Sequence, residues 1–316
     1  MGKASSDKIS IVLSCYNGAA FIKKQIDSIV NQTYPNIELI ISDDYSTDDT
    51  RTILLQYSDH PNIKVVLREQ NLGYSENFFQ TALLAKGDYI AFSDQDDIWL
   101  PNKLQALYDG INDHYLVYSD SLLIDDNDKL LNKKLSDLRN MGDINDIQGF
   151  FISNPVWGHT MMIRKELLDY FKPLPNGVAY DVWLAIKATL KTGVAYVNEP
   201  LTLYRQHTGS ITKTLTKKVR GTRKRTKRYE EYTELLKWLV ILKDNELTEQ
   251  STFFHELYFL FIKKEQETFV WPLFFFLLKH QKEIFSFRKK NFWSRLIEIR
   301  KMSRGERPSS ILAISK

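Results

Sequence analysis

Apolar and polar positions along the first hundred residues switch repeatedly between two periods. Ile9-Ser10-Ile11-Val12-Leu13-Ser14 is a short apolar, β-branched run and predicts a buried strand. Tyr16-Asn17-Gly18 turns the chain, and Phe21, Ile22, Ile26, Ile29 and Val30 then recur at helical spacing. Pro35-Asn36 interrupts that pattern, and residues 37–41 predict a second strand. Thr47 is placed to cap a helix carrying Ile53, Leu54 and Leu55. Residues 63–67 predict a third strand, and Ser75 opens a helix carrying Phe78, Phe79 and Leu83. Gly87 closes that helix, and residues 88–92 predict a fourth strand. Alternation of this kind predicts a mainly parallel, doubly wound α/β sheet, whose ligands bind beyond the C-terminal strand ends.

Downstream, the pattern is mixed. Strands are expected at residues 115–119, 122–124, 159–163 and 201–205, and a helix at residues 181–190. After residue 210 the character changes: residues 213–228 hold nine Lys and Arg and no acid. Helical stretches rich in Leu, Phe and Trp follow at about 229–244, 249–265, 268–280 and 283–303. The expected division is an α/β domain over residues 1–210 and a basic, aromatic, helical region over residues 211–316.

Charge sharpens that division. Residues 1–210 carry 19 Lys and Arg against 27 Asp and Glu, a formal charge of −8. Residues 211–316 carry 24 against 12, a charge of +12, so the two regions are suited to different partners. The single cysteine, Cys15, excludes an intramolecular disulfide framework, fits a reducing cytoplasmic compartment, and reads as a small buried residue. The N-terminus lacks the apolar core of a signal peptide, although it satisfies the loose myristoylation pattern with Ser6 in place. No run is long and apolar enough to predict a transmembrane helix.

The acids cluster where a ligand would sit. Phe92-Ser93-Asp94-Gln95-Asp96-Asp97 places three carboxylates directly after the fourth strand. They repel one another unless a cation is present, and hard divalent cations such as Mg²⁺ prefer carboxylate and phosphate oxygen. The alternative is a solvated acidic turn that caps the next helix. Ser42-Asp43-Asp44-Tyr45-Ser46-Thr47-Asp48 follows the second strand in the same way. Its acids can accept from a nucleobase N–H or a ribose hydroxyl, or can cap the following helix.

These motifs, in this order and spacing, resemble the family-2 glycosyltransferases of the GT-A fold. The resemblance runs through residues 11–18, Gln32-Thr33-Tyr34, residues 40–48, Asn71-Leu72-Gly73 and residues 85–90 to Asp94-Gln95-Asp96. It covers about residues 8–210. It implies an inverting transfer from a nucleoside-diphosphate sugar, with Mg²⁺ or Mn²⁺ on the Asp-x-Asp pair Asp94 and Asp96. It further implies that Tyr16, Asn17, Asp43, Asp44 and Gln95 line the nucleotide-sugar pocket. Tyr45 departs from the family, which often has Gly there.

Tyr180-Asp181-Val182-Trp183 matches the family's acid-x-Trp stretch at a helix start, so Asp181 is the expected general base. Leu203-Tyr204-Arg205-Gln206-His207 is similar to a Tyr-Arg-x-His stretch of bacterial rhamnosyl- and cell-surface transferases. That similarity assigns His207 to the metal shell or the diphosphate and Arg205 to the departing phosphate. His159, in Trp157-Gly158-His159-Thr160, is expected to be an ordinary polar residue.

The resemblance implies a glycan or lipid-linked acceptor, with UDP-hexose and dTDP-rhamnose both open as donors. Basic residues interleaved with aromatics in residues 211–316 fit an anionic membrane surface, or the core or interface of a helical subdomain. No nucleic-acid motif accompanies the basic run. A nucleotidyltransferase would carry a Gly-rich, Lys- or Arg-bearing loop after the first strand, which Cys15-Tyr16-Asn17-Gly18 lacks. A non-catalytic sugar- or nucleotide-binding scaffold would not need Asp94, Asp96 and Asp181 together.

Overall fold

A computed structural model describes residues 7–170, 174–206, 224–244 and 252–306, with side chains from residue 231 onward in the third segment. The chain divides into two compact units. One is Met1–Asn145 with Pro155–Leu215, the other Asp146–Asn154 with Thr216–Lys316. The short segment Asp146–Asn154 therefore belongs with the helices, which the division at residue 210 did not foresee.

The first unit contains strands β1 (Ile9–Cys15), β2 (Ile37–Asp43), β3 (Ile63–Leu67), β4 (Tyr89–Ser93), β5 (Ile98–Trp99), β6 (Leu116–Ile124), β7 (Leu130–Lys134), β8 (Met161–Arg164) and β9 (Val194–Arg205). Its helices are α1 (Ile22–Val30), α2 (Thr50–Leu55), α3 (Tyr74–Ala82), α4 (Lys103–Gly110), α5 (Leu135–Leu138) and α6 (Tyr180–Thr189). The strands form one sheet in the order β3-β2-β1-β4-β8-β6-β9-β5, with β7 paired to β6. β3, β2, β1 and β4 are parallel, as the alternating pattern predicts. β8 runs antiparallel to both β4 and β6, while β6 and β9 are parallel, so the whole sheet is mixed. The two strands expected near 115–124 are one continuous strand, β6.

Apolar residues explain the layering. Ile9, Ile11, Leu13, Leu39, Ile41, Tyr89 and Ala91 pack one sheet face against Ile22, Ile26 and Ile29 of α1 and Leu104 and Leu107 of α4. Cys15 is buried in that cluster, and burial pushes its thiol pKa up, consistent with a packing role. Against the other face, Asn77 of α3 is fully buried. Its Nδ2 donates to Ser14 Oγ (2.7 Å) and its Oδ1 accepts from Ser42 Oγ (2.7 Å) and Arg68 Nε (3.2 Å). It thereby ties α3 to the C-terminal ends of β1 and β2.

The second unit contains α7 (Lys224–Asp244), α8 (Phe253–Ile262), α9 (Trp271–Lys279), α10 (Gln281–Ile284) and α11 (Phe292–Met302). Its interior includes Phe254, Leu257, Phe261, Leu273, Leu277, Ile284 and Ile299. Trp238 Nε1 donates to Phe150 O (2.9 Å), and Phe150 packs edge-on against Phe287, which anchors the segment Asp146–Asn154.

Asn77→Ala leaves Ser14, Ser42 and Arg68 short of buried partners. Its expected cost is about 2 kcal/mol of unfolding free energy, measured by urea denaturation.

Candidate active site

Three strand-end turns meet at one edge of the sheet, after β1, β2 and β4. Side-chain to backbone hydrogen bonds hold them together. Tyr16 N donates to Gln95 Oε1 (2.8 Å), and Gln95 Nε2 donates back to Tyr16 O (3.1 Å). Asn17 N donates to Ser46 Oγ (2.9 Å), and Asn17 Oδ1 accepts from Thr47 N (2.8 Å). A β-carbon on Gly18 would lie 2.4 Å from Gln95 Oε1, so a larger residue there would push the Gln95 side chain aside. The turns are tight: Asn17 has φ +50° and Tyr45 φ +68°. The second value explains why a glycine suits the Tyr45 position, since the left-handed region strains a residue with a β-carbon.

Tyr16, Asn17 and Gln95 thus build the walls of the edge, with the Tyr16 side chain exposed. Asp43 is fully buried at the end of β2. Its Oδ2 accepts from Ser46 N (3.0 Å) and Arg51 Nε (2.6 Å), while Oδ1 is a buried acceptor with no partner among the described residues. A buried open carboxylate oxygen is costly unless a ligand donor fills it. Asp44 differs from its expected role. Its Oδ1 accepts from Leu72 N (2.7 Å) and its Oδ2 from Gly73 N (2.9 Å), so both oxygens anchor the loop before α3.

The acids after β4 are crowded. Asp97 is fully buried; its Oδ1 accepts from Arg205 N (3.0 Å), and its Oδ2 has no hydrogen-bond partner among the described residues. Burial, together with the charges of Asp96 and Asp94, pushes the Asp97 pKa well up. Burial, then Asp96 and Asp181, push Asp94 up to about 8. Asp96 is half-buried between them.

His159 is not an ordinary polar residue. It is buried, with Nδ1 3.7 Å from Asp94 Oδ2 and 3.9 Å from Asp97 Oδ2. Its ring stacks on Tyr204 at 4.3 Å, and Ser121 Oγ lies 3.2 Å from Nε2. Burial, reinforced by Lys103, pushes its pKa well down and keeps the imidazole neutral. Ligand atoms of Asp94, Asp97 and His159 all lie within 4.8 Å of one another. Neutral imidazole with two carboxylates is a fitting donor set for a divalent cation, and the open Asp97 Oδ2 is the atom such a cation would satisfy. The signal that could have found His159 is its place just before a strand that lies beside β4. Periodicity alone does not show which strands are neighbours.

Lys103, which the sequence did not single out, is buried beneath this cluster. Its Nζ donates to His159 O (2.5 Å) and Thr202 Oγ1 (2.8 Å) and sits 3.9 Å from the centre of the Trp99 ring. Burial pushes its pKa down to about 7, against the pull of Asp97 and Asp94.

Arg205 is also placed differently from expectation. It is 1% exposed. Nε donates to Asp96 O (2.7 Å), one terminal nitrogen donates to Asp125 O (2.8 Å), and the other lies 2.6 Å from Asp128 Oδ1. Its cationic plane also covers Phe21 at 4.6 Å. These contacts make Arg205 a clamp on the acidic turn rather than an open phosphate ligand. His207 lies outside the described residues.

Asp181 lies in the first turn of α6, whose first residue, Tyr180, packs on Phe92 (5.1 Å) immediately before the acidic turn. Its Oδ2 accepts from Gly158 N (3.2 Å) and its Oδ1 from Val182 N (2.8 Å). Burial outweighs these bonds and pushes Asp181 up to about 6. Gly158 carries no β-carbon because one would lie 2.0 Å from Tyr180 Oη. The base candidate and the acids after β4 therefore share one electrostatic environment, although Asp181 is far from them in sequence.

Known proteins resemble this chain in sequence and in fold. The model of glycosyl transferase family 2 matches residues 10–171. An uncharacterized glycosyltransferase of Nostoc sp. is 31% identical over 214 residues, 63% of this chain and 65% of that protein. Escherichia coli WfgD, a UDP-Glc:α-D-GlcNAc-diphosphoundecaprenol β-1,3-glucosyltransferase, is 40% identical over 97 residues, 31% of this chain and 38% of that protein. This chain thus spans less than two-thirds of either relative. Staphylococcus aureus TarS 1–349 in complex with UDP-GlcNAc superimposes with a TM-score of 0.58 at 19% identity, covering 92% of this chain and 79% of that TarS fragment. The Pyrobaculum calidifontis mannosyltransferase PcManGT, in complex with GDP-Man and Mn²⁺, gives 0.52 at 18% identity, covering 76% and 65%. The fold is GT-A, and the chain belongs to glycosyl transferase family 2.

Proposed function

We propose that this chain catalyses an inverting transfer of a sugar from a nucleoside-diphosphate donor, a UDP-hexose or dTDP-rhamnose, to a hydroxyl of a glycan or lipid-linked acceptor. The setting proposed is bacterial cell-surface polysaccharide synthesis, in the cytoplasm at the inner face of the membrane, with residues 211–316 touching the bilayer. The observation that carries the chemistry is the convergence of Asp181 with the acidic turn at Asp94. In this reading Asp181 takes a proton while the turn at Asp94 lies toward the charged leaving group.

In this reading the nucleoside lies against Tyr16 and Asn17, and its base donates to the open Oδ1 of Asp43. Asp94 would hold a divalent cation, Mg²⁺ or Mn²⁺, with Asp96, Asp97 and His159 as the other candidate donors. The cation, when bound, supplies neutralisation of the diphosphate charge. Arg205 and Lys103 keep the acidic turn and the His159 backbone in position. Asp181 Oδ2, oriented by Gly158 N, accepts the acceptor's hydroxyl proton as that oxygen attacks the anomeric carbon. The carbon–oxygen bond to the diphosphate breaks on the opposite face, which gives inversion.

A donor screen tests this reading. Release of nucleoside diphosphate from UDP-, GDP- and dTDP-sugars is followed with Mn²⁺ and with EDTA. Release from one nucleotide class, dependent on metal, is expected; metal-independent release from all three would contradict it.

Asp181→Asn should lower turnover by roughly 10²–10⁴-fold while leaving donor affinity nearly unchanged. In the wild type, burial favours the neutral acid, so activity should fall as pH drops through about 6, where Asp181 takes up its proton. A pH profile without that acid limb would count against Asp181 as base. Gly158→Ala should reduce turnover with little change in nucleotide affinity, because the added carbon displaces Tyr180 and disturbs the Gly158 bond to Asp181.

Mn²⁺ should raise the melting temperature, since it binds the folded site and not the unfolded chain. Asp94 keeps its proton up to about 8, so protons compete with the metal and the shift should grow as pH rises toward that value. A shift independent of pH would contradict Asp94 as a ligand.

A further inference from the structure

The helical unit exposes aromatic side chains that its own packing does not need. α9 buries Leu273, Phe276 and Leu277 on its inner face. Its outer face carries Trp271 and Phe275, each 59% exposed, with Phe274 and Leu278 partly exposed beside them. Positions 271, 274, 275 and 278 follow helical spacing, so they form one outward apolar stripe. Phe269 joins the stripe, with its ring 4.7 Å from Trp271, and Trp271 stacks on Phe275 at 6.1 Å. α11 shows the same feature: Phe292, Trp293 and Ile297 are exposed, and Trp293 is 70% exposed.

A helix that is apolar on its inner and outer faces requires a second apolar environment. Charge narrows what that environment is. Residues 252–306 carry eleven Lys and Arg against six Asp and Glu. Lys279 and Lys282 directly follow the α9 stripe, and both are exposed. Lys289, Arg300 and Lys301 flank the exposed residues of α11 in the same way. Exposed Trp and Phe with adjoining Lys and Arg match the boundary of an anionic bilayer: rings enter the headgroup region and cations meet lipid phosphate. No helix among the described residues is long and apolar enough to cross a membrane, so such helices would lie on it.

We propose that α9, through Trp271, Phe275 and their neighbour Phe269, is the membrane-inserting element of this chain, with Lys279 and Lys282 holding anionic headgroups. This deepens the reading of residues 211–316 as a membrane contact. It rests on that part of the proposed function and not on the transfer chemistry.

The test uses the full chain and vesicles of phosphatidylcholine, with or without phosphatidylglycerol. Co-sedimentation should be stronger with the anionic vesicles and should weaken with added salt. The double variant Trp271→Ser, Phe275→Ser should bind the anionic vesicles at least about tenfold more weakly, since both lost rings are exposed and able to enter the headgroup layer. Lys279→Gln, Lys282→Gln should lose the salt-sensitive part of the binding. Nucleotide titration in solution, without lipid, checks that the variants keep their fold and donor site. If nucleotide binding is normal but vesicle binding is unchanged by the ring substitutions, the proposal is overturned. It is equally overturned if the wild type ignores vesicles and associates with itself, while the ring variant is monomeric by light scattering, because the stripe is then a subunit interface.

Discussion

Carboxylate crowding at the end of β4 is the constraint on which the rest of the site depends. Asp94, Asp96 and Asp97 lie within four residues, and Asp181 adds its charge from α6. Concentrating that much negative charge in a poorly hydrated place is unfavourable unless cations are supplied. The protein's own chain brings one permanent cation, Arg205, together with Lys103, whose pKa burial pushes down to about 7. Arg205 clamps the turn through Asp96 O and Asp128, and Lys103 stands buried below His159. Neither neutralises the open face of the turn, where Asp97 Oδ2 remains without a hydrogen-bond partner among the described residues. That oxygen is the atom that the proposed divalent cation would satisfy.

The same constraint rationalises the sheet beyond β4. Two residues of β5 follow the acidic turn and pair with β9, Ile98 opposite Leu203 and Trp99 opposite Thr202. That pairing brings Arg205, two residues beyond Leu203, against Asp96 and Asp97. β8 inserts between β4 and β6, and Gly158 and His159 lie in the short turn just before it. Thus β8, β5 and the end of β9 bring Gly158, His159 and Arg205 beside the acids that follow β4.

Much of the first part was legible in the sequence because its information is local. β1 to β4 and their helices follow from hydrophobic periodicity, and Asp94 and Asp43 stand at strand ends that ligands favour. Arg205 was legible as a residue but not in its role, because its partners, Asp96, Asp125 and Asp128, are far from it in sequence. The structural partners of Asp44 are hidden in the sequence for the same reason: the backbone N–H groups of Leu72 and Gly73 that it accepts from come from the loop before α3. His159 and Lys103 were missed because only the order of strands in the sheet makes them neighbours of the acids. The attachment of Asp146–Asn154 to the helical unit likewise depends on long-range contacts of Phe150.

The most direct test of the account is calorimetric titration of the wild-type chain with UDP, GDP and dTDP, each with Mn²⁺ and with EDTA, repeated with Asp94→Asn. A site completed by a cation predicts that one nucleotide binds at least about tenfold more tightly with Mn²⁺, and that Asp94→Asn removes this gain. Equal affinity with and without metal, unchanged by Asp94→Asn, would contradict it.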